Sequence, residues 1–289
     1  MNEHQTEILA DQVLTAFGQL TPPVNLQAIA AEESIELVEG DFGDDFQGRI
    51  EYLSEVETFA IYHPSFLACR YQPRVRFSIS HELGHFYIPE HREMLLRNIS
   101  HNSLEGFRHQ NDIEREADSF ASALLVPSAV LRARMGRRGF LSLRQILELA
   151  DECQASPQAT AFRYTRFTEE PYLAIVSEDG AILYSFVSEE AKVIGFGGIG
   201  NKRVPDGSAT ARAAGQVASR IEEGKIQSEL WFSDREAHAD LWEEAVRLGA
   251  STRVLTVLSW EHYDPQNPHA REESRWERCW ARSGDGRVL

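Results

Sequence analysis

The stretch RVRFSISHELGH, at residues 74–85, contains the pattern from which the fold and the chemistry of this chain are predicted. Apolar residues recur at helical spacing from Val75 to Phe86, which predicts a helix. Because a helix advances by about 100° per residue, His81 and His85 lie on one face, where both imidazoles can bind one metal ion. Glu82, beside the first histidine, can then accept a proton from water at that metal. The pattern indicates a buried active-site helix.

A second helix is predicted to supply the third metal ligand, since a catalytic zinc usually takes three protein ligands and leaves a fourth position for water. Apolar spacing predicts this helix over about Asp112 to Leu125. It carries Glu114 and, one turn later, Asp118. Glu114 could bind the metal while Asp118 accepts a hydrogen bond from a ligating histidine.

Two other groups compete for the third position. His91 follows His81 by ten residues, which is the metzincin spacing, but Ile88 stands where that pattern requires a glycine to turn the chain back. The other alternative is Glu116 of the second helix or another group. The acidic residues of that helix could also form only a solvated charged face. We predict Glu114 as the ligand.

Together these stretches resemble the ImmA/IrrE family of zinc metallo-endopeptidases. The resemblance covers about residues 5–130 and rests on PVNLQAIA at 23–30, the motif stretch, and EREADSFASALLVP at 114–127. Ser78 and Ser80 depart from it, since Thr and Ala are common there. The resemblance implies that His81, His85 and Glu114 hold zinc and that Glu82 is the catalytic base.

The function that this resemblance implies is proteolysis with a regulatory purpose. The protein would be a cytoplasmic endopeptidase that uses Zn2+, with Mn2+ as a substitute, to cleave a helix-turn-helix transcriptional repressor. Cleavage would switch on a stress response of the DNA-damage or radiation type. The competing hypothesis is a regulator without enzymatic activity that binds DNA. The oxyanion stabiliser stays open among four candidates: Tyr87, His101, His109 and Arg115.

Residues 128–168 differ in charge from the rest of the chain. They hold seven arginines and three acidic residues, a local charge of +4 in a chain of net charge −16. A helix over 141–149, a turn, and a helix over 157–167 capped by Ser156 are typical of a helix-turn-helix. Its exposed recognition side would carry Gln158, Thr160, Arg163 and Arg166. DNA contact here competes with a helical hairpin that only links the flanking units.

The fold predicted for the whole chain is α+β and multidomain. Residues 1–127 would form a zincin-like, mostly helical peptidase domain with a small sheet, including strands over 47–53 and 57–62. Residues 128–168 would form the helix-turn-helix. Residues 169–289 would form a mixed α/β domain that begins with a hairpin; its GAF-like character follows from the domain order of IrrE-like members of the family. The GFGGIG stretch at 195–200 is predicted to be a turn, because loop residues follow it.

Composition excludes several classes of protein. The 289 residues are 42% hydrophobic and 26% charged, which is ordinary globular usage. No apolar run approaches the roughly 20 residues of a bilayer span, and the start of the chain lacks the basic and apolar regions of a secretory signal. Three widely spaced cysteines, Cys69, Cys153 and Cys279, predict idle thiols in a reducing cytoplasm.

Overall fold

The computed structural model describes residues 1–42, 48–65, 72–97, 101–103, 112–135, 140–193, 195–196, 198–199, 202–216, 220–232 and 240–260. These ranges contain eleven helices: α1 (Glu3–Ala16), α2 (Leu26–Glu32), α3 (Gln72–Tyr87), α4 (Pro89–Leu96), α5 (Asp112–Leu125), α6 (Ser128–Met135), α7 (Leu143–Cys153), α8 (Pro157–Phe167), α9 (Glu189–Val193), α10 (Ala209–Ala214) and α11 (Ser228–Trp231). They also contain nine strands: β1 (Ile35–Gly40), β2 (Gly48–Leu53), β3 (Thr58–Pro64), β4 (His101–Ser103), β5 (Tyr172–Glu178), β6 (Ala181–Val187), β7 (Ile221–Gln227), β8 (Asp240–Arg247) and β9 (Arg253–Ser259).

The first sheet supports the helix that carries the histidine motif. Its strand order is β1-β3-β2-β4, with β1 parallel to β3 and the other pairs antiparallel. Ile50 of β2 lies opposite Ile61 of β3, and both are fully buried. Helix α3 packs against β2, β3 and α5. The sheet and α5 therefore both contact the motif helix.

The second sheet is formed by the C-terminal part of the chain. Its strand order is β6-β5-β9-β8-β7, and every pair is antiparallel. Strand β5 is buried along most of its length, from Tyr172 to Ser177. Residues 195–196 and 198–199 of the glycine-rich stretch lie outside helices and strands, in line with the predicted turn. The mixed α+β class is confirmed for the described residues, while the GAF-like character stays a prediction.

One hydrophobic core crosses the boundaries that were predicted at residues 127/128 and 168/169. Leu14, Leu124, Leu149 and Val257 belong to a single cluster of buried residues. The three predicted units thus share buried apolar contacts. Their division into separate domains stays a prediction.

The middle helices have the predicted positions but a different exposure. Ser156 caps α8 by accepting a hydrogen bond from the amide of Ala159, and Pro157 is the first residue of the helix. The predicted exposed recognition side is wrong for Thr160 and Arg163, which are 0% and 1% exposed. The reason is that α8 packs against α5, β5 and β6, so the side of α8 that carries Arg163 faces the protein interior. The predicted helix at 141–149 is α7.

A buried ion-pair group connects α8 to α1. Arg163 donates from Nη1 to Glu7 at 2.8 Å and from Nη2 to the Ser128 hydroxyl at 2.7 Å. Arg166 donates from Nε to the other Glu7 oxygen at 2.6 Å and also pairs with Glu3. Burial raises the pKa of Glu7 even though Arg163 acts in the opposite direction. The group therefore holds these arginines inside the protein.

The cysteine prediction can be examined at Cys153, because Cys69 and Cys279 lie outside the described residues. Cys153 is buried and forms no disulfide. Burial raises the pKa of its thiol to about 12, so the thiol is protonated at neutral pH. A protonated buried thiol is a poor nucleophile, as expected for an idle side chain.

Glu244 joins the C-terminal sheet to the middle helices. It lies on β8, is 5% exposed, and accepts a hydrogen bond from the backbone amide of Leu143 at the start of α7. Although a helix N-terminus favours a carboxylate, burial is the larger influence and raises the pKa of Glu244 to about 7. The folded protein therefore holds this carboxyl group in its protonated form more strongly than the unfolded chain does.

We expect Glu244→Gln to remove a pH dependence of stability. Between about pH 4.5 and 7 the wild-type folded state binds more protons than the unfolded state at this position, so its stability falls as pH rises. From pH 4.5 to 8 the loss amounts to about 3 kcal/mol relative to the variant. Urea unfolding of both proteins at pH 5 and pH 8 measures it. A difference between them that stays constant with pH would show that Glu244 titrates normally.

Candidate metal centre

Helix α3 places the two motif histidines side by side. His81 and His85 lie one turn apart, and their Nε2 atoms are 3.0 Å from each other. Both rings are almost fully buried, at 3% and 1% exposure. Two imidazole nitrogens turned toward each other in a buried site require a shared proton or a cation between them. The helical spacing of the two histidines therefore directs both Nε2 atoms to one place between them, which is called the common point below.

Glu114 of α5 approaches the same point. Its Oε2 lies 3.2 Å from His81 Nε2, and its Oε1 lies 3.9 Å from His85 Nε2. One ligand atom from each of the three residues can be chosen so that all lie within 4.8 Å of one another. Tetrahedral zinc with bonds of 2.0–2.1 Å separates its ligand atoms by about 3.3 Å. The nitrogen and oxygen donors present here therefore fit a divalent ion of the zinc type.

Asp118 orients the first histidine. Its Oδ1 lies 2.9 Å from His81 Nδ1, on the opposite side of the ring from the common point. A carboxylate in this position keeps the proton on Nδ1 and turns the Nε2 lone pair toward the centre. Burial lowers the pKa of His81, but the hydrogen bonds to Asp118 and Glu114 together with nearby carboxylates outweigh it, and the pKa lies well above its usual range. The carboxylates around His81 thus favour a positive charge at the common point of the two histidines.

His91 and Glu116 lie in an outer layer. His91 Nδ1 is 3.2 Å from His85 Nδ1, and His91 Nε2 is 3.2 Å from Glu116. His91 therefore contacts the far side of the His85 ring, and Glu116 contacts His91 in turn, so these contacts lie outside the point shared by the two Nε2 atoms. The structure brings Glu114 together with His81 and His85, and their role as metal ligands stays a prediction.

Glu82 lies directly after the first histidine and is fully buried. Strand β2 passes very close to it at Gly48. A Cβ atom at position 48 would lie 2.9 Å from Glu82 Oε1 and 3.2 Å from Ser78 Cβ. Only glycine lets the strand approach the predicted base so closely, and the sequence pattern alone did not single out this position.

Gly84, between the two histidines, sets the distance between α3 and α5. A Cβ atom there would meet the Cα and the carbonyl oxygen of Ala117 and the Cβ of Phe120, each at 3.3 Å. The helix that carries Glu114 therefore packs directly on the backbone of the motif helix. A glycine beside the small residue Ala117 is a signal for such close helix packing, although the two are far apart in the sequence.

The candidates for an oxyanion stabiliser differ in their surroundings. The Tyr87 hydroxyl donates to Glu33 at 3.0 Å, and burial raises its pKa above the usual range. Arg115 is half exposed and pairs with Asp112. His109 and the side chain of His101 lie outside the described part of the protein. No position for the oxyanion follows from these contacts.

Comparisons with known proteins are consistent with this site. Residues 69–165 match the peptidase M78 family, described as the IrrE N-terminal-like domain, and the match extends across the predicted boundary at 127/128. A solved structure of a Mycobacterium tuberculosis transcriptional regulator has a TM-score of 0.56 and 15% identity, and the alignment covers 88% of this chain and 75% of that one. At this identity the likeness shows a shared fold. A search of curated proteins found no match.

Of the helices described here, none has the length and apolar character to cross a bilayer.

Proposed function

Since residues 69–165 match the IrrE N-terminal-like domain, we propose that this chain is a cytoplasmic zinc-dependent endopeptidase. Its substrate would be a helix-turn-helix transcriptional repressor, whose cleavage switches on a stress response of the DNA-damage or radiation type. One observation carries the proposal: a carboxylate from α5 meets both motif histidines at a single buried point, with Glu82 next to them. The repressor and the response rest on the family resemblance.

The residues of the chain have separate roles in this proposal. His81, His85 and Glu114 would hold the zinc ion, which when bound lowers the pKa of water and polarises a peptide carbonyl. Asp118 would keep His81 in the tautomer that directs Nε2 toward the centre. Glu82 would accept the proton of the attacking water and deliver it to the leaving amide nitrogen. Burial of the site strengthens each of these charge interactions, because water screens them less.

Cleavage of a repressor tests the proposal. The full chain is incubated with candidate helix-turn-helix repressors encoded near it, with zinc, with manganese and with a chelator, and the products are identified by mass spectrometry. We expect one or a few discrete cuts that need a metal. Repressors that stay intact with zinc and with manganese, although the enzyme has bound the metal, would contradict the proposed substrate.

We expect the three proposed ligands to differ from the outer histidine in zinc occupancy. His81→Ala, His85→Ala and Glu114→Ala each remove a donor, and occupancy after dialysis should fall at least about tenfold. His91→Ala removes a contact of His85 and should change occupancy less. Inductively coupled plasma mass spectrometry of the purified proteins measures this. If His91→Ala releases the metal and Glu114→Ala retains it, the third ligand is His91.

We expect Gly48→Ala to lower cleavage without unfolding the protein. The new methyl group would lie 2.9 Å from Glu82 Oε1, the far end of a side chain, and 3.2 Å from Ser78 Cβ, so we expect Glu82 to shift more than β2. A displacement of about 1 Å in a catalytic group can cost about a hundredfold in rate. Gly224→Ala is the matched control, since its methyl group would meet Arg212 at an ordinary 3.5 Å. Equal cleavage rates for the two variants would show that Gly48 does not position Glu82.

The second candidate function is a regulator that binds DNA through residues 128–168 and has no peptidase activity. It is favoured by the structural likeness to a transcriptional regulator. The burial of Thr160 and Arg163 removes two of its four predicted recognition side chains. A Glu82→Gln protein that binds a specific duplex with strong salt dependence would support this function. Loss of all biological output in that variant would support the peptidase.

A further inference from the structure

A groove lies where α2, the first turn of α3, α7 and the start of α8 meet. Its volume is about 770 Å³, within the roughly 300–1,000 Å³ of small-molecule sites. Gln27 of α2, Arg76 of α3 and Leu147 of α7 are among its lining residues. None of the proposed metal ligands lines it. The groove is therefore a separate site on the same motif helix.

Arg76 is the unusual residue of this groove. It is only 7% exposed, and its Nη2 donates to the backbone oxygen of Val24 at 2.8 Å. Its Nε atom is buried without a hydrogen-bond partner. Within the described ranges it forms no ion pair with a carboxylate. A guanidinium group has five N–H donors, and the one on Nε points into the protein without an acceptor.

The charge of Arg76 is also uncompensated. Burial lowers the pKa of Arg76, and the group that acts in the opposite direction is the Cys153 thiol. That thiol has a pKa of about 12 and is neutral at pH 7. A buried cation without an opposite charge beside it is unfavourable. An anion in the groove would recover much of this cost.

The walls of the groove limit the kind of anion that fits. Leu147, Ala150 and Ala155 are the apolar lining residues, of which Leu147 is partly exposed, while Asp151 and Gln154 are exposed lining residues. A carboxylate can accept two parallel hydrogen bonds from a guanidinium group. The negative charge of Asp151 disfavours ligands with several negative charges. These features match a single carboxylate attached to an apolar group.

We propose that this groove binds a small organic carboxylate, whose oxygens accept hydrogen bonds from Arg76 while its apolar part lies against Leu147, Ala150 and Ala155. The ligand would connect the motif helix α3 to the middle helices α7 and α8. The proposal requires neither bound zinc nor peptidase activity, so it can fail or hold independently of the proposed function.

Isothermal titration of the full chain with phenylacetate tests the site, and phenylacetamide is the neutral control. We expect saturable binding of phenylacetate and at least tenfold weaker binding of the amide, because the charge-assisted hydrogen bonds are lost. Arg76→Gln removes the charge and keeps a polar side chain, so it should also weaken phenylacetate binding at least about tenfold.

Arg76 is buried, so Arg76→Gln could fail to fold. Two variants at exposed positions of the groove test the proposal without that risk. Asp151→Asn removes a negative charge from the groove and should tighten phenylacetate binding about twofold, whereas Gln154→Glu adds one and should weaken it by a similar factor. Neither change should alter binding of phenylacetamide. The proposal is overturned if wild type shows no saturable phenylacetate binding, if acid and amide bind equally, or if neither surface variant changes the affinity for phenylacetate.

Discussion

Glu82→Gln should abolish most cleavage while leaving zinc in place. The substitution keeps the size of the side chain but removes the carboxylate that accepts the proton of the attacking water. General acid–base catalysis contributes about 10²- to 10⁴-fold, so we expect cleavage of the repressor to slow at least about a hundredfold. Glu82 does not belong to the group of His81, His85 and Glu114. Zinc occupancy should therefore equal that of wild type.

The matched control is Glu93→Gln, which makes the same chemical change on an exposed side chain of α4. Its cleavage rate should equal that of wild type. A Glu82→Gln protein with a normal cleavage rate would remove Glu82 as the base. A Glu82→Gln protein that loses zinc would instead place Glu82 among the metal ligands. Mass spectrometry of the products and of the metal content distinguishes these outcomes.

Arg163→Met should be the most destabilising single change in the ion-pair group of α1 and α8. Arg163 is 1% exposed and Glu7 is 7% exposed, so the change leaves a buried carboxylate with one of its two arginine partners. Breaking a buried pair by removing one member costs about 3–5 kcal/mol. We expect a loss of this size in the free energy of unfolding, measured by denaturant titration monitored by circular dichroism.

Two further variants separate the buried charge from the ordinary cost of a substitution. Glu7→Leu combined with Arg163→Met removes the buried pair, leaves Arg166 paired with Glu3, and should recover much of the loss, because burial already raises the pKa of Glu7 despite its partners. Arg97→Ala breaks an exposed pair with Glu93 and should cost less than about 1 kcal/mol. An equal loss for Arg163→Met and Arg97→Ala would contradict the prediction.

Helices were predicted well because their signals are local. The bounds of α5 and α8 agree with the predicted bounds, and the cap of α8 is Ser156 as predicted. The hairpin predicted at the start of the last unit is β5 and β6, and β2 and β3 differ from their predicted bounds by one or two residues. Strand β1 and the pairing of β7, β8 and β9 were not predicted. Strand pairing depends on partners far apart in the chain, so a single segment does not specify it.

The sequence by itself determined the helix that carries His81, Glu82 and His85, since spacing along a helix is fixed by its geometry. Only the tertiary structure decided that Glu114 lies at their common point and that His91 lies behind His85, because both depend on how α5 and α4 pack on α3. The burial of Arg163 was likewise decided by contacts with distant residues. The geometry within a helix is determined by residues that are neighbours in the chain. The exposure of a side chain, and its contacts with residues far away in the sequence, are determined by the packing of the whole fold.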